Sequence, residues 1–263
     1  MTQRLCAIVV LLAGCVVGEH GATEDLRGDS PRTLDGLQVE YRFREGKGLA
    51  VHDTSGVQPA FDLELDNLIT NQWVPDGGIR ITGPSVITSP DVAEKVFVAC
   101  VRANAVSLEA WVEPASITQA GTIFTYSTEG DRNATLAVNL LRYRGAVWTS
   151  DPDPLNMTGR IEAIQTKDGI AAAKLQHVVY TRDQSGATIY VDGAVALPTP
   201  QTPPTMPPPV TDQNVWTPAA QLAFGADPGG GAPWLGTIYL AAVYCKKLGP
   251  AEVQQNYAVG YAF

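Results

Sequence analysis

Short segments in which apolar and polar residues alternate recur along most of this chain. Leu108, Ala110 and Val112 occupy every second position of one such segment, and residues 136–140 repeat the pattern. Successive side chains of a β-strand point to opposite faces of a sheet, so this spacing is typical of strands with one buried face. The pattern therefore favours an all-β protein.

Turn residues support the same interpretation. The chain has 263 residues, of which 25 are glycine and 19 are proline, as expected for many short elements joined by turns. Asp192-Gly193 lies between two strand patterns, and both residues tolerate the positive φ that a type I′ hairpin turn needs. We predict a β-hairpin there. The length allows one or two domains.

Helical signals are few. Ser-Pro-Asp at residues 89–91 suits the cap and first turn of a helix that reaches Arg102 and carries Cys100. Gly-Pro-Ala-Glu at residues 249–252 begins a second helix, with Val253 on its packing face. The sequence thus predicts one or two short helices.

The first residues have the form of a secretory signal peptide. Arg4 precedes a continuous apolar run, residues 5–12, which is shorter than the roughly 20 residues that span a bilayer. Leu-Ala-Gly-Cys at residues 12–15 resembles the bacterial lipobox, whose cysteine is acylated. An ordinary signal cleaved between residues 18 and 22, which would discard Cys15, is the alternative.

The lipobox interpretation divides the chain into three parts. Residues 1–14 are a signal peptide, residues 15–33 form a polar tether lipid-anchored at Cys15, and residues 34–263 form one domain. This predicts an exported lipoprotein of the bacterial outer membrane that faces the periplasm or the outside. A proline-rich loop insertion, residues 198–215, interrupts the domain; seven of the twelve residues from 198 to 209 are proline.

Charge excludes one class of partner. The 18 Lys and Arg residues against 27 Asp and Glu residues give a net charge of −9, which repels phosphate backbones. Nucleic acid is therefore not an expected partner, and contact with a membrane is expected through the acyl anchor only.

Two cysteines remain once Cys6 leaves with the signal and Cys15 carries lipid. Cys100 and Cys245 can form a disulfide in an oxidising compartment, closing a loop of over a hundred residues. Two buried, unpaired cysteines are the alternative.

Several stretches, in order, resemble the laminin-G-like domains of the concanavalin A-like lectin and glucanase superfamily, its bacterial branch above all. Residues 107–114 (SLEAWVEP) look like the central strand of these domains, and residues 177–193 like their "HVA…YVDG" hairpin. Residues 234–244 resemble the closing strand, and residues 248–253 (LGPAEV) the terminal "LSPAEV" helix. The opening at residues 41–56 is similar too.

This resemblance covers residues 39–260 and implies a jelly-roll sandwich of two antiparallel sheets. It places tryptophans between the sheets, Trp234 among them, and the last helix over a sheet edge. Because fold and function separate, the resemblance does not assign a chemistry.

The spacing of the acidic residues does not match that of a glycanase active site. Glycanases of this superfamily carry alternating acids on one strand, which hold nucleophile and acid about 5 Å apart. Glu64 and Asp66 lack the second glutamate, and Glu109 and Glu113 flank Trp111 without an aspartate between them. We predict solvated acids on strand faces in both places and a non-catalytic protein. A lipid-anchored polysaccharide hydrolase that uses Glu109 or Glu64 is the alternative.

Other chemistries have little support. The chain contains no GxSxG elbow, and its His and Cys residues lack the spacing of zinc ligands. His177 is predicted to be a core or edge histidine that hydrogen-bonds backbone. Trp148 and Trp216 lie near predicted loops and are the candidate surface for a ligand.

The resemblance implies calcium as a candidate cofactor, since laminin-G-like relatives often hold it at the rim of the sandwich with oxygen ligands. Asp151 and Asp153, or Asp183 and Asp227, are the candidate ligands, and ordinary turn acids are the alternative. Taken together, the sequence predicts a recognition module of the cell envelope that binds glycan or an extracellular protein. A purely structural envelope protein is a further alternative.

Overall fold

A computed structural model describes residues 31–150, 159–197 and 212–262. Within these ranges, sixteen strands form two antiparallel sheets that pack face to face, and two helices of ten residues each accompany them. The prediction of an all-β jelly-roll sandwich with short helices is confirmed. The predicted signal peptide, Cys15, Asp151, Asp153 and residues 198–211 of the proline-rich loop lie outside the described residues.

The helices and strands follow one another in chain order. They are β1 (Leu37–Tyr41), β2 (Ala50–Val51), β3 (Leu63–Leu65), β4 (Asn71–Trp73), β5 (Ile79–Ile81), β6 (Ile87–Thr88), α1 (Glu94–Ala103), β7 (Val106–Pro114), β8 (Ala120–Ser127), β9 (Arg132–Asn139), β10 (Arg142–Thr149), β11 (Arg160–Gln165), β12 (Gln176–Asp183), β13 (Gly186–Val191), β14 (Ala194–Val195), β15 (Gln221–Phe224), β16 (Gly236–Tyr244) and α2 (Pro250–Val259).

The two sheets have eight strands each within the described ranges. Sheet A has the spatial order β14, β13, β12, β7, β16, β5 and β4, and β1 also pairs with β16. Sheet B has the order β11, β10, β9, β8, β15, β6, β3 and β2. Neighbours in space are often distant in sequence, which is the consequence of jelly-roll connections.

The main core lies between the sheets. Leu108, Ala110 and Val112 face it, as their alternation predicts, and Trp234 is fully buried in it. The rings of Phe124 and Phe224 stack there with centroids 4.3 Å apart. Aromatic and aliphatic side chains from both sheets therefore fill one interior, and their burial is the main contribution to the stability of the sandwich.

The hairpin prediction is also confirmed. Asp192 and Gly193 have φ values of 51° and 78°, and the strands on either side pair through Val191 and Ala194. Two residues with positive φ thus join β13 to β14, as the right-handed twist of the strands requires.

Helix α2 lies on the outer face of sheet A and also contacts β14, the strand at one edge of that sheet, as expected. Leu248 and Val253 pack with Trp111 and Tyr244 into a second, smaller core on that face. The ring of Tyr257 stacks on Trp111 at 5.7 Å between centroids. The apolar face of the helix thus meets the apolar side chains that the sheet turns away from the main core.

The N-terminal part of the domain begins before residue 34. Arg32 is buried and donates from Nη1 to the carbonyl of Gly260 at 3.0 Å. The backbone N–H of Thr33 donates to Asn256 Oδ1 at 2.9 Å. These residues belong to the folded domain, so the predicted tether boundary at residue 33 lies too far along the chain.

Helix α1 begins later than predicted. Ser89 does not cap it: its hydroxyl donates to the carbonyl of Asp91 at 2.8 Å, and Ala93 stands at the N-cap position instead. Cys100 lies on this helix and forms a disulfide with Cys245, just after β16, as predicted. The bond fastens α1 to the end of a central strand. Neither described helix is long and apolar enough to cross a membrane.

Candidate functional site

The outer face of sheet B has a floor of small side chains. Thr125 pairs with Thr135, Thr135 with Ala146 and Ala146 with Ala163, so the row crosses four adjacent strands, β8 to β11. These residues alternate with core residues and therefore point away from the interior. Thr125, Thr135 and Ala146 are nevertheless only 0%, 5% and 8% exposed, whereas Ala163 on the edge strand β11 is exposed. Cavities lined by Thr135 and Ala146 lie on this face, and we refer to it as the sheet B groove.

Hydroxyl groups make the floor of the groove rigid. Thr125 Oγ1 lies 2.9 Å from Thr135 Oγ1 and donates to Ser127 Oγ at 3.1 Å. Nearby, Thr122 Oγ1 donates to Asp227 Oδ1 at 2.9 Å. Because these hydroxyls are held by one another and by a loop carboxylate, the floor has little freedom to rearrange around a ligand.

Strand β10 supplies the larger side chains of the groove. Arg144 and Trp148 alternate with the core residues Tyr143 and Val147, so they point to the outer face. A cavity of about 310 Å³ lies on the Arg144 side, and another of about 340 Å³ on the Trp148 side. A recess of about 20 Å³ is lined by both residues and lies between the two cavities. The groove therefore combines a cation, an indole and a hydroxyl floor.

The two cavities have different rims. The cavity beside Arg144 is lined by neutral side chains, among them Ala137 and Asn139. The cavity beside Trp148 is lined by Ile161 and by two acids of the turn between β8 and β9, Glu129 and Asp131. One end of the groove is thus cationic and the other is acidic.

The two tryptophans that were predicted to form a ligand surface lie in different environments. Trp148 lines the groove and is partly buried. Trp216 is only 3% exposed, and its indole N–H donates to the backbone carbonyl of Trp148 at 2.8 Å. The prediction of a surface position for Trp216 is therefore wrong. Its ring packs in the core against Tyr126, with centroids 5.5 Å apart, and its indole contacts β10 from the core side of the sheet.

Glu109 is fully buried, so the prediction of a solvated acid at this position is wrong. The carboxylate points to the outer face of sheet A, as the alternation requires, but α2 and the segment that carries Arg32 cover it. Glu109 Oε1 accepts from Arg32 Nη2 at 2.5 Å and from His177 Nε2 at 2.7 Å, and Oε2 accepts from Asn256 Nδ2 at 2.8 Å. The acid joins the central sheet to both ends of the domain.

The charges around Glu109 are balanced locally. Burial raises the pKa of the Glu109 carboxyl, but Arg32 and His177 together outweigh it and hold that pKa at about 2. Burial alone would lower the pKa of Arg32, and the adjacent Glu109 carboxylate raises it instead. Burial and the same carboxylate raise the pKa of the neighbouring Tyr244 hydroxyl. The pair therefore stays ionised inside the protein.

His177 is buried, but its partner is a carboxylate and not the predicted backbone group. Because an ionised carboxylate only accepts hydrogen bonds, Nε2 of the imidazole carries the proton. The ring also stacks on Trp111 with centroids 4.8 Å apart, and Nδ1 has no hydrogen-bond partner among the described residues. His177 and Glu109 are therefore both enclosed by other groups of the protein.

The other candidate acids lie apart from one another. Glu64 is exposed on β3 of sheet B, whereas Glu113 lies on β7 of sheet A, where its Oε2 accepts from the Tyr239 hydroxyl at 2.9 Å. Burial and this carboxylate raise the pKa of Tyr239 to about 12. The fold does not bring Glu64, Glu109 and Glu113 into one site.

Two of the calcium candidates are described. Asp183 accepts from Lys247 Nζ at 2.9 Å and from the Ser185 hydroxyl at 2.6 Å, as an ordinary turn acid does. Asp227 lies in the loop before β16, where it accepts from Thr122. Within residues 31–150, 159–197 and 212–262, no group of three or more His, Cys, Asp or Glu residues is placed to hold a metal ion.

A second cleft lies at one end of sheet A. It has a volume of about 450 Å³ and is lined by Arg80, Glu113 and Thr237, among others. These residues come from three adjacent strands, β5, β7 and β16, near the ends of those strands. The cleft is larger than either cavity of the sheet B groove, but it does not continue along the sheet face as the groove does.

Solved structures with the same fold come from several kinds of protein. Trypanosoma rangeli sialidase in complex with the inhibitor DANA is 15% identical over 87% of this chain and 33% of its own, with a TM-score of 0.58. The receptor-binding domain of the botulinum neurotoxin C/D mosaic serotype is 12% identical over 87% of this chain and 52% of its own, with a TM-score of 0.59. The type G receptor-binding domain of botulinum neurotoxin is 14% identical over 86% of this chain and 51% of its own, with a TM-score of 0.54.

This chain spans about a third to a half of the length of those structures, and at these identities the likeness shows the fold alone. No curated protein matches the sequence. The family model Laminin_G_3, described as the Concanavalin A-like lectin/glucanases superfamily, matches residues 85–254, which include β7 to β16 and both cysteines of the disulfide. The chain therefore belongs to the Laminin_G_3 family of the concanavalin A-like lectin/glucanases superfamily.

Proposed function

We propose that this protein is a non-catalytic recognition module that binds glycan chains in the sheet B groove. The observation that carries the proposal is the floor of Thr and Ala side chains across β8 to β11, which leaves a recess with Trp148 and Arg144 on it. Specific sites of this kind combine an apolar or aromatic wall with a few fixed polar groups. A saccharide matches that combination, because its rings stack on aromatic faces and its hydroxyls hydrogen-bond.

The kinds of protein that share the fold support this choice. The superfamily is described as one of lectins and glucanases, and the similar structures include a sialidase and receptor-binding domains. We favour a binding role over hydrolysis because Glu109, one of the two acids considered for catalysis, is enclosed by Arg32, His177 and Asn256. Hydrolysis of a β-glucan or similar polysaccharide by the purified protein would overturn the proposal.

Filling the groove should weaken binding. Ala146 lies in the middle of the floor and faces outward, so Ala146→Gln would place a long neutral side chain in the recess without altering the core. For a saccharide identified by a glycan array, we expect affinity to fall at least about tenfold, the effect of losing about 1.4 kcal/mol of contact. Isothermal titration calorimetry measures this loss.

Ala194→Gln on β14 is the matched control, because it adds the same side chain at an exposed position of sheet A. Its affinity should equal that of the wild type. Equal binding by Ala146→Gln and the wild type would place the ligand elsewhere and reject the groove.

We propose further that the module is held at the outer membrane of a bacterium by acyl chains on Cys15. The support is the sequence Leu-Ala-Gly-Cys at residues 12–15 after an apolar run. Acyl chains provide stable attachment when more than one is present, and no spanning helix is then needed. The protein itself would lie in the periplasm or at the cell surface.

Metabolic labelling with palmitate tests the anchor. The wild-type chain expressed in a bacterium should incorporate label and fractionate with membranes, and Cys15→Ala should do neither. Cys6→Ala is the control and should be labelled like the wild type. Release of an unlabelled wild-type chain would show that an ordinary signal peptide is removed instead.

A further inference from the structure

We propose that the sheet B groove selects an acidic saccharide and that Arg144 binds its carboxylate or sulfate group. This inference rests on the proposed function and names the class of ligand. Its starting point is strand β10, which presents two arginines, Arg142 and Arg144, on the same outer face because they are two residues apart.

The two arginines differ in their partners. Arg142 donates to both carboxylate oxygens of Asp168, from Nε at 2.6 Å and from Nη2 at 2.8 Å. This bidentate pair gives Arg142 a countercharge at the protein surface, where both side chains are exposed. Arg144 forms neither a hydrogen bond nor an ion pair with another side chain in the part of the chain that the structure describes, although it is partly buried. Its guanidinium is therefore the free cation of this strand.

The position of Arg144 makes this charge available to a ligand. Arg144 lines both the cavity of about 310 Å³ and the recess that leads to Trp148. The neighbours of Arg144 on the floor are neutral. Ala137 on β9 and Gln165 on β11 pair with Arg144, and Thr135, also on β9, lines the same recess. A partly desolvated guanidinium with unused donors binds a carboxylate or sulfate best, because their paired oxygens match its planar fork.

The acidic residues of the groove determine the orientation of the bound saccharide. Glu129 and Asp131 line the far cavity beside Trp148 and Ile161. An anionic group there would meet two carboxylates, whereas a neutral sugar ring would meet an indole, an isoleucine and two hydrogen-bond acceptors. We therefore place the acidic residue of the saccharide over Arg144 and a neutral residue next to Trp148.

The net charge of −9 distinguishes this local site from a general attraction for anions. A protein with this charge repels polyanions at long range, so an acidic saccharide would be held by the local charge of the Arg144 guanidinium. Salt should therefore weaken binding only modestly, since a single charge pair is screened and no large basic surface is involved.

Calorimetric titration with three oligosaccharides of equal length tests the inference: a neutral gluco-oligosaccharide, a uronic-acid oligomer and a sulfated oligomer. The wild type should bind at least one acidic oligomer about 10- to 100-fold more tightly than the neutral one, the range of a charge-assisted hydrogen bond. Arg144→Gln should abolish that preference. Arg142→Gln, the matched control on the same strand, should retain it. Comparison of the two acidic oligomers shows whether carboxylate or sulfate is preferred.

The outcomes separate the two levels of the proposal. Equal binding of neutral and acidic oligomers that is blocked by Ala146→Gln would overturn the role of Arg144 and leave the glycan groove standing. A preference for acidic oligomers that survives in Arg144→Gln would overturn the inference as well. Binding of all three oligomers that Ala146→Gln leaves unchanged would reject the groove itself, and the inference with it.

Discussion

Replacing Glu109 by alanine should lower the free energy of unfolding by about 3–5 kcal/mol, the usual cost of removing one partner of a buried ion pair. The variant leaves the Arg32 guanidinium buried without its countercharge, and the His177 Nε2–H loses its acceptor. It also leaves a void beneath α2. Urea denaturation of the purified domain at neutral pH measures the change.

Glu113→Ala is the matched control, because Glu113 lies on the same strand and the same face but is exposed. It should change the free energy of unfolding by no more than about 0.5 kcal/mol. If Glu109→Ala were as stable as the control, the buried network would not hold the two ends of the domain to sheet A.

The pH dependence of the free energy of unfolding is a second test of the role of the Glu109 carboxylate. The pKa of Glu109 is lowered from 4.5 to about 2 in the folded protein, so folding favours its ionised form. The stability that it contributes is present in full above the unfolded pKa and is lost as pH falls from about 4.5 towards 2. The isosteric variant Glu109→Gln should therefore lose less stability than the wild type over that range.

Loss of the disulfide should have an effect of similar size. Cys100 and Cys245 are 145 residues apart, so the bond restricts a large part of the unfolded chain. The chain-entropy relation gives about 4–5 kcal/mol for a loop of this length. We expect the double variant Cys100→Ala/Cys245→Ala to unfold at correspondingly lower denaturant concentration, with no unpaired thiol left to complicate the measurement.

Reduction provides the control for this prediction. Dithiothreitol should shift the unfolding midpoint of the wild type towards that of the double variant and should leave the double variant unchanged. A wild-type midpoint that does not respond to dithiothreitol would contradict the stabilising role of the bond. The prediction also bears on export, because such a bond persists in oxidising compartments.

The strands were predictable because each carries its own evidence. The alternation around Leu108 predicts which side chains share a face, and Asp192-Gly193 predicts where the chain reverses direction. The pairing of Cys100 with Cys245 followed from the exclusion of the other cysteines and is confirmed. The strand and turn predictions need only local geometry, which a single sequence contains.

The segments that cover the outer face of a sheet were not predictable in the same way. The spacing places Glu109 on the outer face of its strand, but the partners that bury it lie 77 and 147 residues away, at Arg32 and Asn256. Trp216 likewise follows a predicted loop and still enters the core through a contact with β10. Such burial depends on tertiary packing, which local periodicity does not report.

The groove was missed for a related reason. Arg144 and Ala146 alternate with Tyr143 and Val147, so the sequence shows that they face away from the core. The recess itself arises only when small residues of four strands come into register, and those strands extend from residue 120 to residue 165. A search for small residues at the outward positions of consecutive strands would have found it.

The central claim is that the outer face of sheet B binds glycan, and backbone amide chemical shifts test it most directly. Adding an oligosaccharide that binds the ¹⁵N-labelled protein should change the amide chemical shifts of β9, β10 and β11. The largest changes should occur around Arg144, Ala146 and Trp148. Changes concentrated instead at the cleft of sheet A, around Arg80, Glu113 and Thr237, would contradict it.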